Sequence, residues 1–145
     1  MIKSNWKLTF DPGGTPLVLL DYGNLVEGEV FPAMSKPAEV TPLAGASAPF
    51  IRDLGNRSFR LGFAVILDAA DDKAMRQEMM TSLVTVGPLA RKVLKVQING
   101  ITDRYWKYAN AFITEHSPEP VVTSAGARVK KRYTVIATEF SQVGP

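Results

Sequence analysis

The sequence predicts a mainly β protein with one α-helix. Short runs of alternating polarity are separated by turn residues, and ten prolines and eleven glycines punctuate the chain. One stretch, between residues 68 and 87, instead spaces its apolar residues at helical intervals. A length of 145 residues fits a single domain, and 46% hydrophobic with 21% charged residues excludes wholesale disorder.

Trp6-Lys7-Leu8-Thr9-Phe10 alternates and ends in Asp11-Pro12-Gly13-Gly14, a strong turn signal. Leu17-Val18-Leu19-Leu20 reads as a strand buried on both faces, Asp21-Tyr22-Gly23-Asn24 as a second turn, and residues 26–31 as a third short strand; together they suggest a β-meander. Residues 32–57 differ. They hold Pro32, Pro37, Pro42 and Pro49 and the small-residue run Ala44-Gly45-Ala46-Ser47-Ala48, which a packed central strand tolerates poorly because each proline removes a ladder donor. Yet Val40, Leu43, Phe50, Ile51 and Leu54 are apolar anchors that a purely solvated loop rarely carries. The expectation is an arm or extended loop docking on a neighbouring subunit, with Val40, Leu43, Phe50, Ile51, Arg52 and Leu54 as its interface candidates.

Residues 58–67 give the clearest strand. Phe59, Leu61, Phe63, Val65 and Leu67 face a core, opposite Arg60, Gly62, Ala64 and Ile66, and the strand is expected to be central. A helix follows, with Asp68 and Asp71 in a capping-box-like arrangement, Met75, Met79, Leu83 and Val86 as its buried stripe, and Gly87-Pro88 as its stop. Leu94, Val96 and Ile98 share one face of the next strand, and Asn99-Gly100 predicts a type I′ hairpin. The returning strand, about 104–115, places Trp106, Tyr108 and Phe112 on one face and Tyr105, Ala109, Ala111 and Ile113 on the other. Ser117-Pro118-Glu119-Pro120 is expected to break it. A short strand at 121–123 then turns at Gly126 into a long one over 129–140.

Composition argues against most catalysis. The chain has no cysteine and one histidine, His116, so disulfides, thiolate chemistry, zinc fingers and His-paired dyads are excluded or poorly served. Asp71 and Asp72 diverge by about 100° on a helix and serve its N-terminal charge better than a shared proton or metal. His116 reads as a solvated loop residue by the proline-rich turn. No phosphate-cradling glycine motif occurs. No cofactor is expected.

The net charge of +3 is modest. Arg128, Lys130, Lys131 and Arg132 form the densest basic run, but on a strand Lys131 faces opposite to its neighbours, so the run is no coherent nucleic-acid stripe. No run approaches the ~18 apolar residues of a membrane span, and the amino terminus lacks a secretory pattern, so a soluble protein that stays where it is made is the expectation. An alternative function is a monomeric β-sandwich carbohydrate-binding module, with Trp106 and Tyr108 stacking on sugar rings beside Asn110.

Three stretches bear on the choice: Phe59-Arg60-Leu61-Gly62-Phe63 running on through Leu83, the hairpin Leu94-Lys95-Val96 to Arg104-Tyr105-Trp106-Lys107-Tyr108-Ala109, and the closing Tyr133-Thr134-Val135-Ile136-Ala137-Thr138-Glu139-Phe140. Across roughly the last two-thirds of the chain, this order resembles the tail-tube superfamily of long-tailed bacteriophages, especially distal tail (baseplate hub) proteins. The resemblance implies an antiparallel β-sandwich or split barrel with a flanking helix, assembled as a ring, commonly a hexamer, around a DNA channel. It implies a non-enzymatic virion structural protein, assembled in the host cytoplasm. Its partners would be copies of itself and neighbouring tail proteins, with DNA met in transit and no membrane. Distal tail proteins often carry a second, carboxy-terminal domain; this sequence ends soon after Phe140, so a single ring-forming domain over residues 1–145 is expected.

Overall fold

The computed structural model describes residues 2–27, 33–35, 38–42, 44–45, 50–53, 58–123 and 126–145. Within them the order is β1 (Ile2–Lys3), β2 (Trp6–Phe10), β3 (Leu17–Leu20), β4 (Leu25–Glu27), β5 (Ala33–Ser35), β6 (Ala38–Thr41), β7 (Phe50–Asp53), β8 (Ser58–Asp68), α1 (Asp72–Val86), β9 (Lys92–Ile98), β10 (Tyr105–Thr123), β11 (Gly126–Ala137) and β12 (Glu139–Val143). The strands pair antiparallel in a ten-stranded sheet ordered β1-β4-β8-β11-β10-β9-β2-β3, with β12 on β10 and β5 on β8, while β6 and β7 form a two-stranded sheet of their own.

Strand β10 is long enough to belong to both halves of this sheet. Its first part lies between β9 and β12, and its second part pairs with β11. The sheet therefore folds over on itself, and the core fills the space between: Leu8, Phe10, Leu20, Leu94, Val96 and Tyr108 meet Leu61, Phe63, Val65 and Val135. Ser4 ties the far ends together. Its N–H donates to the Asn24 carbonyl (2.7 Å), its carbonyl accepts from Gly23 (2.9 Å), and its hydroxyl accepts from the Trp6 N–H (3.0 Å). Burying this short polar side chain is tolerable because each of those groups is partnered.

The pattern on β8 predicted its environment well. Phe59, Leu61, Phe63 and Val65 are buried, and the strand is central, with β11 on one side and β4 and β5 on the other. Phe63 stacks on Tyr133 at 5.3 Å, and an aromatic cluster of Phe59, Tyr108 and Phe140 joins β8, β10 and β12.

Elsewhere local geometry overrides the sequence pattern. Val18 is exposed, so β3 is an edge strand rather than one buried on both faces. A register shift against β2 leaves Leu19 as an extra residue, which lets consecutive Leu19 and Leu20 both reach the core. A second bulge falls at Asn110, which adopts φ 52, a conformation asparagine tolerates. It reverses the phase of β10: Tyr108 and Ala111 are both buried, Ile113 packs on the core, and Phe112 turns outward instead of sharing a face with Trp106 and Tyr108.

Pro118 and Pro120 do not break β10, which runs on to Thr123. Being two residues apart, they lack donors on the same side. Beyond Ala111 that side, away from β11, has no strand partner among the described residues.

Asn99-Gly100 does turn, but not as type I′. The Ile101 N–H donates to the Ile98 carbonyl (3.1 Å) and Gly100 has φ 88, while Asn99 is absent from the positive-φ residues, which fits type II. Residues 99–104 then connect the strands, a longer link than a two-residue hairpin.

Helix α1 starts one turn later than the capping-box reading. Asp71 is its N-cap, accepting from the Ala74 N–H at 2.7 Å, whereas Asp68 ends β8 and pairs with Arg128 at 3.0 Å. Asp71→Ala is expected to cost about 1 kcal/mol, read as a lowered urea midpoint with an unchanged slope. The inward row is Met75, Met79, Ser82 and Val86. Leu83, one residue further round than Ser82, lies outside it and is exposed.

Candidate assembly surface

Arg128, Lys130 and Arg132 stand on one face of β11 and Lys131 on the other, as strand geometry requires. The acids around them answer most of this charge. Arg128 pairs with Asp68, Lys130 with Glu27, and the buried Lys131 with Glu78 of α1. The Lys130 ammonium holds the Glu27 carboxyl below its ordinary range. Lys130 and Arg128 keep their stems against the sheet, where Ala64 and Ile66 are buried. The basic run is thus a set of cross-element ion pairs and not a phosphate-binding stripe.

The sugar-stacking alternative finds no platform. Tyr108 is buried, burial pushes its hydroxyl pKa well up, and Trp106 packs partly buried against the core. Asn110, at the bulge, donates its side-chain amide to Thr138 Oγ1 (3.2 Å).

His116 is not a solvated loop residue. It lies in β10 opposite Tyr133, stacks on that ring at 4.5 Å, and places Nε2 3.1 Å from Ser82 Oγ on α1. Asp71 and Asp72 have separate tasks, one capping α1 and the other pairing with Arg76 four residues on. Among the described residues no group of three His, Cys, Asp or Glu could hold a metal ion, and no helix is long and apolar enough to cross a membrane.

What the surface does offer is unfinished backbone and exposed apolar area. Strand β3 has β2 on one side, β1 has β4, and the second half of β10 has β11; the other sides have no strand partner among the described residues. Open edges invite pairing with another chain, and the two prolines of β10 remove donors from part of one of them. On α1 the outward residues include Met80 (66% exposed), Leu83 (44%) and Val84 (75%). Beside them Leu83, Val86, Phe112 and Ile113 line a shallow groove of about 300 Å³. Phe112 continues the patch to its cross-strand neighbour Ile136, also exposed. Thr114, Glu115 and His116 also line the groove, so the exposed apolar side chains at its rim and on the outer side of α1 are the candidate contact surface.

Of the six interface candidates read from the sequence, four lie in the small sheet. Val40 stands opposite Ile51, Thr41 opposite Phe50 and Glu39 opposite Arg52. Leu43 and Leu54 lie outside the described residues. Strands β5, β6 and β7 are the strands described within 32–57, and Pro42 directly follows β6; Pro37 and Pro49 lie outside the described residues.

The adjacent methionines and Met75 invite a partner-groove reading from sequence, with core packing favoured over it; the structure divides them, Met75 being fully buried and Met80 exposed.

Two solved assemblies contain chains of similar fold. One belongs to the sheath–tube complex of an extracellular contractile injection system, PVC, in its extended state, with a TM-score of 0.56 and 11% identity, covering 97% of this chain and 89% of that one. The other belongs to the six-fold symmetrised baseplate of the anti-feeding prophage, with a TM-score of 0.59 and 6% identity over 99% and 95% of the two chains. At such identities the likeness is one of fold, and the mainly antiparallel, tail-tube-like architecture expected from the sequence is the one the chain has. No family model matches the sequence, and no curated protein does.

Proposed function

We propose that this chain is a structural subunit of a phage-tail-like particle, acting in its tube or baseplate as one copy in a ring and carrying out no catalysis. The observation that carries this reading is a tube-like fold whose edge strands are unpaired among the described residues, with an apolar face on α1. A protein that stays monomeric gains nothing from exposing Met80, Leu83 and Val84 together. The edges of β1, β3 and β10 are different surfaces, so contacts between them are heterologous, and heterologous contacts close into rings when the rotation permits.

In this reading the whole chain is one ring-forming domain. The β6–β7 sheet is its arm, bringing Val40, Phe50, Ile51 and Arg52 to a neighbouring subunit, with Leu43 and Leu54 as the flanking anchors. The channel passes DNA, or another cargo, without sequence-specific binding, because strong phosphate contacts would arrest it. Assembly takes place in the cytoplasm of the producing cell, and neighbouring tail proteins cap the ring.

Light scattering on the purified chain, alone and with partner tail proteins, tests this. The expected mass is a multiple of the 15.8 kDa subunit. A subunit mass under every condition would contradict the reading.

A further inference from the structure

His116 and Ser82 make a polar contact between the second half of α1 and the sheet, beside the buried Val86 and the Lys131–Glu78 pair. With the Ser82 hydroxyl donating to the Met79 carbonyl (2.9 Å), it accepts the Nε2 hydrogen across their 3.1 Å contact. A neutral ring with its hydrogen on Nε2 leaves Nδ1 bare. Nδ1 is buried and without a hydrogen-bond partner among the described residues. A second proton has to go there, on a ring stacked against Tyr133 and close to the Lys131 ammonium.

We propose that the His116–Ser82 contact is an acid-sensitive latch, holding α1 on the sheet while the imidazole is neutral and releasing it when the imidazole is protonated. The groups around the ring all bear on this. From α1 come the Ser82 hydroxyl and Glu78, whose carboxylate is engaged by Lys131. From β11 come Lys131, Tyr133 and the backbone carbonyl of Arg132. From β10 itself comes Glu115, next in the chain and exposed. Burial holds the His116 pKa below its ordinary 6.5 and Lys131 lowers it further, while the Arg132 carbonyl offsets part of the shift. A lowered folded-state value means that the open form binds the proton more readily. The latch is therefore fully closed above about pH 6.5 and weakens as pH falls from there through the lowered value. Ordinary carboxylates titrate near 4, well below the 6.5 from which the latch begins to weaken, so the onset of the effect is separable from theirs.

Hydrogen exchange of the α1 amides in the unassembled full-length chain, corrected for the intrinsic pH dependence of exchange, tests the latch at about pH 7.5 and about pH 5. The expected result is several-fold faster exchange across residues 72–86 at the lower pH, with β8 unchanged. His116→Phe retains a flat ring against Tyr133 and takes no proton, so its α1 exchange should be the same at both values. Ser82→Ala, which removes the acceptor together with its bond to the Met79 carbonyl, should exchange faster than wild type already at the higher pH. Wild-type α1 exchange indifferent to pH, or an equal acid response in His116→Phe, would overturn the proposal. Because the measurement is made on free subunits, its outcome is independent of whether rings form.

Discussion

Val84→Lys is expected to fold at least as well as wild type and to abolish ring formation. Val84 is 75% exposed on α1, so its replacement removes little packing within the subunit. The last turn of α1 has no basic residue, and a lysine two residues before its end interacts favourably with the helix dipole, by about 0.3–1 kcal/mol. Lysine also has a higher helix propensity than β-branched valine. In an assembled particle the same residue would bury an ammonium beside Met80, one turn away on α1, and against the apolar surface of the next subunit. An unpaired charge in such a contact costs several kcal/mol, and each 1.4 kcal/mol is about a tenfold loss of association. Sedimentation of Val84→Lys beside wild type checks both halves of the expectation. A variant that is fully stable yet subunit-sized places the contact on α1, and one that assembles normally removes α1 from the interface.

The largest effect on stability is expected at Phe10. It is fully buried, stands opposite Leu94 on β9 and Leu17 on β3, and packs in the cluster with Leu8 and Leu20. Phe10→Ala should cost about 3–5 kcal/mol, the lost transfer energy of the ring plus the cavity that remains. The cavity will not collapse cheaply, because Phe10 is hydrogen-bonded into a strand held on both sides by β9 and β3. Set against a total of about 5–15 kcal/mol for an ordinary domain, that loss is a large fraction of the whole. A urea titration of the variant and of wild type, compared at equal slope, measures it.

These residues also show which parts of the structure could be read from the sequence. The alternation of Phe59, Leu61, Phe63 and Val65 was sufficient for the core face of β8, a strand paired on both sides, whereas the burial of Ala64 and Ile66 on the other face comes from what packs over it. The same rule failed on β10, where the left-handed Asn110 changes the phase through Ile113 and a further register shift at Thr114 changes it again. Nothing in composition marks Asn110 as a bulge rather than a face position. Pro118 and Pro120 were misread for a related reason. Whether a proline breaks a strand depends on whether its missing donor faces a partner, and the partner is set by tertiary structure.

From the sequence, the expected contact between subunits rests on the apolar residues of 32–57, and Leu83 is assigned to the buried stripe of α1, where the structure leaves it exposed. The α1 patch stayed hidden because a helix's inward row is fixed by the sheet beneath it. Here that sheet prefers Ser82, for its bond to His116, over the more apolar Leu83. His116 itself could not be placed from sequence, since the strand that carries it continues through two prolines.

Electron microscopy of the assembled material tests the central claim most directly. Annular particles with an open central channel, one copy of this chain repeated around each ring and residues 32–57 of every copy laid against the next, are the expected result. Isolated subunits in every preparation, or rings in which neither residues 32–57 nor α1 touches a neighbour, would contradict it.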